Sequence, residues 1–208
     1  MQTVAVIDYG MGNLHSVAKA LEHTRVPVRL QVTRDTDQIY KADKIIFPGV
    51  GALRDCMNEL RTLGLDEVLR QCATTKPFLG ICLGMQALLD SSEENEGTEG
   101  LGIIPGRVVL FHPCEQAPKV PHMGWNQVHQ TQSHKMWQNI PQDSRFYFVH
   151  SYYVSPAEQD IVAGKTEYGE NFVSAITRDN LFAVQFHPEK SQHAGLTLLN
   201  NFLRWDGG

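Results

Sequence analysis

Residues 78–88 read FLGICLGMQAL, and this stretch decides how the chain folds. An apolar run leads into Cys82, which lies between Gly80 and Gly84 and precedes a helical pattern over residues 85–89. A strand that turns into a helix is the repeating unit of α/β proteins. The same stretch raises a question of function, because Cys82 is either a small core residue or a nucleophile.

Strand and helix patterns alternate on both sides of this turn through residues 1–89. Apolar residues at helical spacing begin near residues 14, 53 and 65, and short apolar or alternating runs separate them. The predicted strands are TVAVID, VRLQVT, KIIFPG and PFLGI, at residues 3–8, 28–33, 44–49 and 77–81. Such alternation predicts a parallel sheet flanked by helices.

The second half of the chain is predicted to be rich in β-strands. Strand patterns occur at residues 106–111, 145–154, 171–177 and 181–186, with a hairpin turn around Asp179 and Asn180. The polar stretch SSEENEGTEG is predicted to be a surface loop, and the C-terminal stretch a helix with Ser191 as its N-cap. We therefore predict one α/β domain over residues 1–208, with a mixed, mostly parallel central sheet.

Composition excludes several classes of protein. The chain has 208 residues, of which 42% are hydrophobic, enough for one well-buried domain. Its net charge is −5 and it has no run of basic residues, which argues against nucleic-acid binding. It has no apolar stretch near the ~20 residues of a membrane span, and its N-terminus has no signal-peptide pattern. We expect a cytoplasmic protein.

The cysteines show no CxxC spacing, so a metal knuckle or redox pair is not expected. In a reducing compartment most cysteines are small core residues, and we expect this of Cys56, Cys72 and Cys114. Cys82 differs because G-x-C-x-G at a strand-to-helix turn is the pattern of a nucleophile elbow. A helix N-terminus favours thiolate, and the N–H of Leu83 could help to bind an oxyanion.

His187 is the best candidate for the base that a thiol nucleophile needs. It follows the predicted strand LFAVQF, and the carboxyl ends of strands carry the active sites of α/β sheets. Glu189 lies two residues later, where an extended chain projects to the same side, so it could hold the imidazole as the third member of a triad. The structural alternative is a histidine at a strand end beside a solvated glutamate.

A second glycine-rich turn, FPGVGA, ends another early strand. Gly49 and Gly51 would let the backbone approach a substrate closely, although a plain glycine turn is an equal alternative. The remaining histidines are scattered without metal-ligand spacing and are predicted to be surface or locally bonded, and no metal is expected. They include His112, His122, His129, His134 and His193.

Taken together, these motifs resemble the class I, triad-type glutamine amidotransferases over nearly the whole chain. The pieces PGVG, GICLGMQ and HPEKS occur in the order of that family. The strings IDYGMGN, SSEEN, PHMGWN and YFVHSYY resemble, more narrowly, its glutaminase subunits in histidine biosynthesis. The resemblance implies glutamine as substrate and no cofactor.

The family's mechanism, carried over to this sequence, implies that Cys82 attacks the side-chain amide of glutamine. His187 then moves the thiol proton to the leaving ammonia, and Glu189 orients His187. Backbone N–H groups of Leu83 and, after a peptide rearrangement of the turn that contains Gly51, of Val50 hold the oxyanion.

The resemblance also implies which residues hold the amino-acid head of glutamine. They are Gln86, Glu94 and the backbone around Ser151 and Tyr152. A carboxylate such as Glu94 suits an ammonium group. The alternatives are a helix-surface glutamine and a loop charge.

A partner is implied as well, namely a separate cyclase subunit with a (β/α)₈ barrel that receives the ammonia in a heterodimer. Residues resembling the interface and gate are Met11, Asn13, Trp125, Tyr147 and Lys190, and the alternative is a core Trp125 and a solvated Lys190. Three other functions stay open: the donor subunit of a paralogous pathway such as sugar modification, a stand-alone cysteine hydrolase, and a binding protein with a dead site. PHMG with Trp125 argues against the second, and the intact triad argues against the third.

Overall fold

The computed structural model describes residues 1–113, 115 and 119–208, and its core is a large mixed sheet. The strands are β1 (Gln2–Ile7), β2 (Val28–Thr33), β3 (Lys44–Gly49), β4 (Phe78–Cys82), β5 (Leu89–Ser92), β6 (Thr98–Glu99), β7 (Ile104–Leu110), β8 (His122–Gln127), β9 (His129–Gln130), β10 (Arg145–His150), β11 (Tyr152–Pro156), β12 (Val162–Tyr168), β13 (Glu170–Arg178) and β14 (Leu181–Val184). The helices are α1 (Leu14–His23), α2 (Thr36–Lys41), α3 (Leu53–Thr62), α4 (Leu65–Thr75), α5 (Leu83–Gln86) and α6 (Gln192–Arg204).

The sheet has the strand order β2-β1-β3-β4-β14-β13-β11-β7-β5-β6, and β12 adds to β13. All pairings from β2 to β14 are parallel. Beyond β14 the sheet is antiparallel except for the pairing of β5 with β7. The predicted fold class, a mixed sheet with a mostly parallel centre and flanking helices, is confirmed.

The apolar strands of the parallel half are buried on both faces, which is why they read as continuous runs. Along β1, Ala5 and Ile7 pack with α2, α3 and α4, whereas Val4 and Val6 pack with α1 and α6. Because neighbouring side chains in a strand point to opposite faces, one short run supplies two cores. At the centre of the sheet, β3 and β4 have every residue buried.

The predicted hairpin around Asp179 is present. β13 and β14 pair in an antiparallel ladder from Ala175 opposite Val184 to Arg178 opposite Leu181. Asp179 has φ 50°, a left-handed conformation that aspartate tolerates better than most residues. This hairpin returns the chain so that β14 lies parallel to β4.

Several elements were not predicted from the sequence. They are α2 and the strands β5, β6, β8, β9 and β12. The polar stretch predicted as a loop, residues 91–100, instead contains the end of β5, a 3₁₀ turn at Glu94–Glu96 and β6. Short polar edge strands such as these have no strong hydrophobic pattern to reveal them.

The helix predicted over residues 85–89 is wrong in length and position. α5 is a single turn that ends at Gln86, and Leu89 begins β5. The carbonyls of Ala87 and Leu88 accept hydrogen bonds from Leu101 and Ile103, so the chain pairs with a distant segment instead of continuing the helix.

The predicted N-cap position of Ser191 is confirmed. Ser191 stands at the start of α6, but its hydroxyl makes no capping hydrogen bond. It donates to the carbonyl of His187 over 2.5 Å and accepts from the N–H of Tyr147 over 2.9 Å. The side chain therefore ties β10 to the turn that carries His187.

Three loops meet at the carboxyl edge of the parallel half. Gly49, at the end of β3, stands opposite Cys82, at the end of β4, and Val184 ends β14 beside Ile81. This edge is where open α/β sheets place their ligand sites. No helix among the described residues is long and apolar enough to span a membrane.

Candidate active site

Cys82 occupies a strained turn between β4 and α5. Its φ of 54° and ψ of −111° are rare for a residue with a side chain. The neighbouring glycines make the turn possible: a Cβ on Gly84 would lie 1.9 Å from the carbonyl oxygen of Phe47, and one on Gly80 would crowd Ala183. Strain of this kind, held in place by close packing, is typical of a nucleophile elbow.

His187 and Glu189 form a buried pair beside Cys82. Nδ1 of His187 lies 2.8 Å from Oε1 of Glu189, and only 3% and 1% of the two side chains are exposed. The pair forms by a geometry other than the one predicted, because β14 already ends at Val184 and Glu189 lies in a 3₁₀ turn, Pro188–Lys190.

The charges around His187 favour its protonated form. Burial lowers its pKa, but the charge of a Cys82 thiolate and the hydrogen bond to Glu189 outweigh burial and raise the pKa. Nε2 of His187 has no hydrogen-bond partner, although the Cys82 sulfur lies close enough to affect its charge. Since Nδ1–H donates to Glu189, Nε2 is the nitrogen left to exchange a proton with the thiol.

These groups open into one cavity of about 320 Å³, the size of a small-molecule site. It is lined by Val50, Gly51, Cys82, Leu83, Gln86, Glu94, Pro121, Val149, His150, Ser151, Tyr152, His187 and Lys190. The structure thus brings together Cys82, His187 and all the residues assigned from the sequence to oxyanion or glutamine binding.

The turn after β3 lies against the elbow. Gly51 has φ +91°, and a Cβ there would lie 2.8 Å from Cε of Met11. A Cβ on Gly49 would lie 2.5 Å from the hydroxyl of Tyr9, so both glycines are needed for close packing. Val50, between them, is 38% exposed and lines the cavity.

Gln86 and Glu94 have structural roles as well as places in the cavity wall. Gln86 is buried, and its Nε2 donates to the carbonyl of Tyr152 and to Oε1 of Gln185. The side-chain oxygen of Gln86, Oε1, is therefore the atom left to accept a hydrogen bond from a ligand. Glu94 accepts from the N–H of Leu53 through Oε2, at the start of α3.

Three of the five residues assigned to an interface and gate lie in contact. The rings of Trp125 and Tyr147 have centroids 6.2 Å apart, and Nζ of Lys190 lies 5.7 Å from the centroid of Tyr147. Trp125 is 43% exposed, so it is not a core residue. Met11 touches the turn at Gly51, and neither it nor the fifth residue, Asn13 at the start of α1, lines the cavity.

Sequence reasoning missed two buried histidines. His122 was expected at the surface or locally bonded, but it is buried, and its Nδ1 lies 2.9 Å from Nε2 of His150. A signal existed in the strand RFYFVH, where Phe146, Phe148 and His150 alternate onto one face and are all buried. Gln185, fully buried beside the Cys82 sulfur, was also missed.

Cys56 and Cys72 do not line the cavity. Cys56 and Cys72 are buried free thiols, as expected for core residues, and Cys114 lies outside the described residues. Within residues 1–113, 115 and 119–208, no group of three or more potential ligand side chains could hold a metal ion.

Comparisons with known proteins agree with this geometry. The family model for Glutamine amidotransferase class-I matches residues 5–205. The imidazole glycerol phosphate synthase subunit HisH of Nitrosococcus oceani is 61% identical over 207 residues, covering 100% of this chain and 99% of that protein. The subunit of the same name from Acinetobacter baylyi is 60% identical, covering 99% of this chain and 100% of that protein.

Solved structures at lower identity share the fold. A crystal structure of a glutamine amidotransferase has a TM-score of 0.72 at 15% identity, covering 97% of each chain. PurLQS from Thermotoga maritima has a TM-score of 0.71 at 16% identity, covering 98% of each chain.

Proposed function

The chain belongs to the class I glutamine amidotransferase family, and from that premise we propose that it is the glutaminase subunit of an imidazole glycerol phosphate synthase in histidine biosynthesis. In this role it hydrolyses glutamine to glutamate and ammonia and passes the ammonia to a cyclase subunit. The family predicted from the sequence is confirmed by the family model and by full-length relatives at 56–61% identity. Those relatives are HisH subunits, which supports the narrower role.

The observation that carries the proposal is that Cys82 and His187 line one cavity, with Glu189 hydrogen-bonded to His187. In the proposed reaction, the proton of the Cys82 thiol passes to Nε2 of His187, and the resulting thiolate attacks the side-chain amide carbon of glutamine. The tetrahedral intermediate collapses to a thioester, and His187 returns the proton to the leaving ammonia. Water, deprotonated by His187, then attacks the thioester, which releases glutamate and restores the thiol.

Glutamine is oriented in this proposal by groups on the opposite wall of the cavity. The carboxylate of Glu94 attracts the substrate ammonium group, and the free carbonyl oxygen of Gln86 accepts from it. Ser151 and Tyr152 line the same cavity. The amide of glutamine then points towards Cys82.

The oxyanion of the intermediate needs two N–H donors. Leu83 follows Cys82 at the start of α5, where the first N–H groups have no acceptor within the helix. We assign the second donor to Val50, in the turn that stands beside the elbow. A turn held by Gly49 and Gly51 is one in which a peptide can reorient, which offers a means of control by a partner.

The partner in this proposal is a cyclase with a (β/α)₈ barrel, bound as a heterodimer in the cytoplasm. Exposed apolar side chains on β8 support a docking face there, since Met123 and Trp125 are 65% and 43% exposed. Tyr147 and Lys190 lie between Trp125 and the cavity, where they could gate the passage of ammonia. Met11, beside the turn at Gly51, and Asn13, at the start of α1, are assigned to the same interface by the resemblance of the sequence.

Cys82→Ala tests the proposed function. In the pair reconstituted with the cyclase, the variant should lose synthesis from glutamine but keep synthesis from an ammonium salt. A glutamine-analogue electrophile should label Cys82 in the wild type, and not Cys56, Cys72 or Cys114. Glutamine use by the variant would contradict the role of Cys82, and failure to stimulate any cyclase of histidine biosynthesis would point to the paralogous pathway.

A further inference from the structure

Gln185 places its side-chain amide against the sulfur of Cys82. Its Nε2 lies 3.7 Å from Sγ, within reach of an N–H···S hydrogen bond, and the residue is fully buried. The backbone of Gln185 is held by Ser174, whose carbonyl accepts its N–H over 2.9 Å. Gln185 has no role in the reaction described above. Buried side-chain amides are nevertheless almost always hydrogen-bonded, so the contact with Cys82 calls for an explanation.

The direction of the Gln185 amide is fixed by its neighbours. Oε1 of Gln185 accepts from Nε2 of Gln86 over 3.1 Å. The same Nε2 donates over 2.9 Å to the carbonyl of Tyr152, which can only accept. Gln86 must therefore use its NH₂ group as the donor in both contacts, and Gln185 must accept through its side-chain oxygen. The NH₂ group of Gln185 then faces Cys82.

A second arm holds the Tyr152 carbonyl from the other side. Nδ1 of His150 donates to this carbonyl over 2.7 Å, so its Nε2 accepts from Nδ1 of His122 over 2.9 Å. Nε2 of His122 then accepts from Nδ2 of Asn126 over 3.2 Å. The orientation of Asn126 is set independently, since Nδ2 also donates to the carbonyl of Glu167 over 2.8 Å.

Both histidines of this arm are held neutral. Burial lowers the pKa of His122 to about 4 and that of His150 to about 3, although in His150 the hydrogen bond to Tyr152 works in the opposite sense. A neutral imidazole has one N–H, so each ring donates in one direction only. The arm from Asn126 to the Tyr152 carbonyl thus has one consistent polarity, and it meets the arm through Gln86 at this shared acceptor.

We propose that Gln185 is a further catalytic residue, which donates a hydrogen bond to the Cys82 thiolate with a polarity set by the Tyr152 carbonyl through Gln86. The inference rests on the proposed function, in which Cys82 is the nucleophile. A donor on the sulfur stabilises the thiolate and holds it aimed into the cavity, since hydrogen bonds to ionised groups are the strong ones. His122 and His150 act as positioning residues, because they reach the sulfur only through this carbonyl.

Gln185→Met tests the proposal, because methionine has a similar length and no N–H. The measurement is the second-order rate of Cys82 alkylation by iodoacetamide, with the label located by mass spectrometry. At pH 7 we expect a loss of about tenfold, the size of one hydrogen bond to a charged group. At a pH high enough to ionise every thiol, the variant should approach the wild-type rate. Gln185→Glu should lose more at pH 7, because a carboxylate repels the thiolate.

Ser174→Ala is the matched control. Ser174 is buried on the neighbouring strand and bonds to Thr166, outside the chain of hydrogen bonds, so its loss should not change alkylation of Cys82. A folded Gln185→Met that reacts at the wild-type rate at pH 7 would overturn the inference. If the glutamine analogue does not label Cys82 in the wild type, it is the proposed function that is wrong, and this result is distinct from a failure of the Gln185 proposal.

A second measurement does not depend on the stability of the Gln185 variants. In Cys82→Ala the sulfur is absent, so the side-chain NH₂ resonances of Gln185 should shift in a ¹⁵N spectrum. Those of Gln71, whose amide bonds to Glu67 on the surface of α4, should stay in place. An unchanged Gln185 resonance would also count against the proposed contact.

Discussion

Nδ1 of His187 donates to Oε1 of Glu189 over 2.8 Å, in a pair that is almost completely removed from water. Oε2 of Glu189 has no hydrogen-bond partner, so the carboxylate is committed to the imidazole alone. A buried carboxylate in this position stabilises a protonated imidazole and fixes its tautomer, but it does not touch the thiol.

Loss of His187 should therefore lower the glutaminase rate more than loss of the Glu189 charge. His187→Ala removes the proton carrier, and its glutaminase rate should fall roughly 10⁴-fold or more, as far as that of Cys82→Ala. Glu189→Gln keeps an acceptor for Nδ1–H and loses only the charge, so some turnover should remain. Both rates are measured in the complex of the chain with the proposed cyclase subunit, in the presence of the nucleotide substrate of that cyclase.

The ranking depends on both variants being folded, which unfolding curves would check. Equal inactivity of folded Glu189→Gln and His187→Ala would show that the carboxylate does more than orient. Loss of the charge also removes one of the causes that raise the pKa of His187. The alkaline limit of activity in Glu189→Gln should consequently move to lower pH.

Local patterns in the sequence were enough to predict the parallel half of the sheet. The runs at β1, β3 and β4 are short, apolar and bounded by glycine or proline, so their strand character is encoded in the segments themselves. The elbow at Cys82 could be found for the same reason, since the glycines that permit it lie within two residues.

Contacts between distant segments could not be predicted in this way. The His122–His150 pair arises because β8 and β10 align these residues opposite each other, although they are 28 positions apart. α5 stops after one turn because segment 101–104 supplies donors to the carbonyls of residues 87–89, just beyond its end. Such interactions depend on register and tertiary packing, for which a single sequence contains no periodic signal.

The conformation of Val50 suggests how the resting site is kept quiet. Val50 is not among the residues with positive φ, and a flip of the Gly49–Val50 peptide would rotate its φ by about half a turn. A β-branched residue resists that region at a cost of about 1–3 kcal/mol. Val50→Gly should remove this cost and raise the basal glutaminase rate by about tenfold, without the partner.

Val50→Ala is the control for loss of the side chain, because alanine keeps the Cβ that disfavours positive φ. It should raise the basal rate much less than Val50→Gly. Glutamine hydrolysis is measured for the chain alone, with the cyclase, and with cyclase plus nucleotide. If Val50→Gly remains as slow as the wild type when alone, the Val50 peptide does not limit the resting site.

In the proposed complex Lys190 transmits the state of the partner, since its ammonium group lies over the ring of Tyr147 and the residue lines the cavity. Lys190→Met should reduce stimulation by the cyclase and nucleotide about two- to fivefold, the size of one exposed cation–π contact. Alkylation of Cys82 in the free chain should stay unchanged. Lys165→Met, an exposed lysine on β12, is the matched control, and an equal effect there would show that only net charge matters.

The neutral pair His122 and His150 should make the protein sensitive to acid. In the unfolded chain each has a pKa near 6.5, whereas in the folded protein the values are about 4 and about 3. At pH values between the folded and unfolded pKa values, the unfolded chain binds protons that the folded protein does not. The free energy of unfolding therefore falls as the pH falls. From pH 6.5 to pH 5 the loss is about 2 kcal/mol for each histidine.

His122→Gln isolates one of these contributions. Glutamine can still bond to Asn126 or His150 but cannot take up a proton, so the loss of stability between pH 6.5 and pH 5 should shrink by about 2 kcal/mol. Urea unfolding of each protein at both pH values gives the change in the free energy of unfolding between pH 6.5 and pH 5. This change can be compared between wild type and variant even if the variant is less stable at both pH values. Thr166→Val, a buried change without a titratable group, should leave the pH difference as in the wild type. An undiminished loss in His122→Gln would mean that His122 is protonated in the folded protein, and a charged ring donating from both nitrogens would break the single polarity of the arm that runs from Asn126 to the Tyr152 carbonyl.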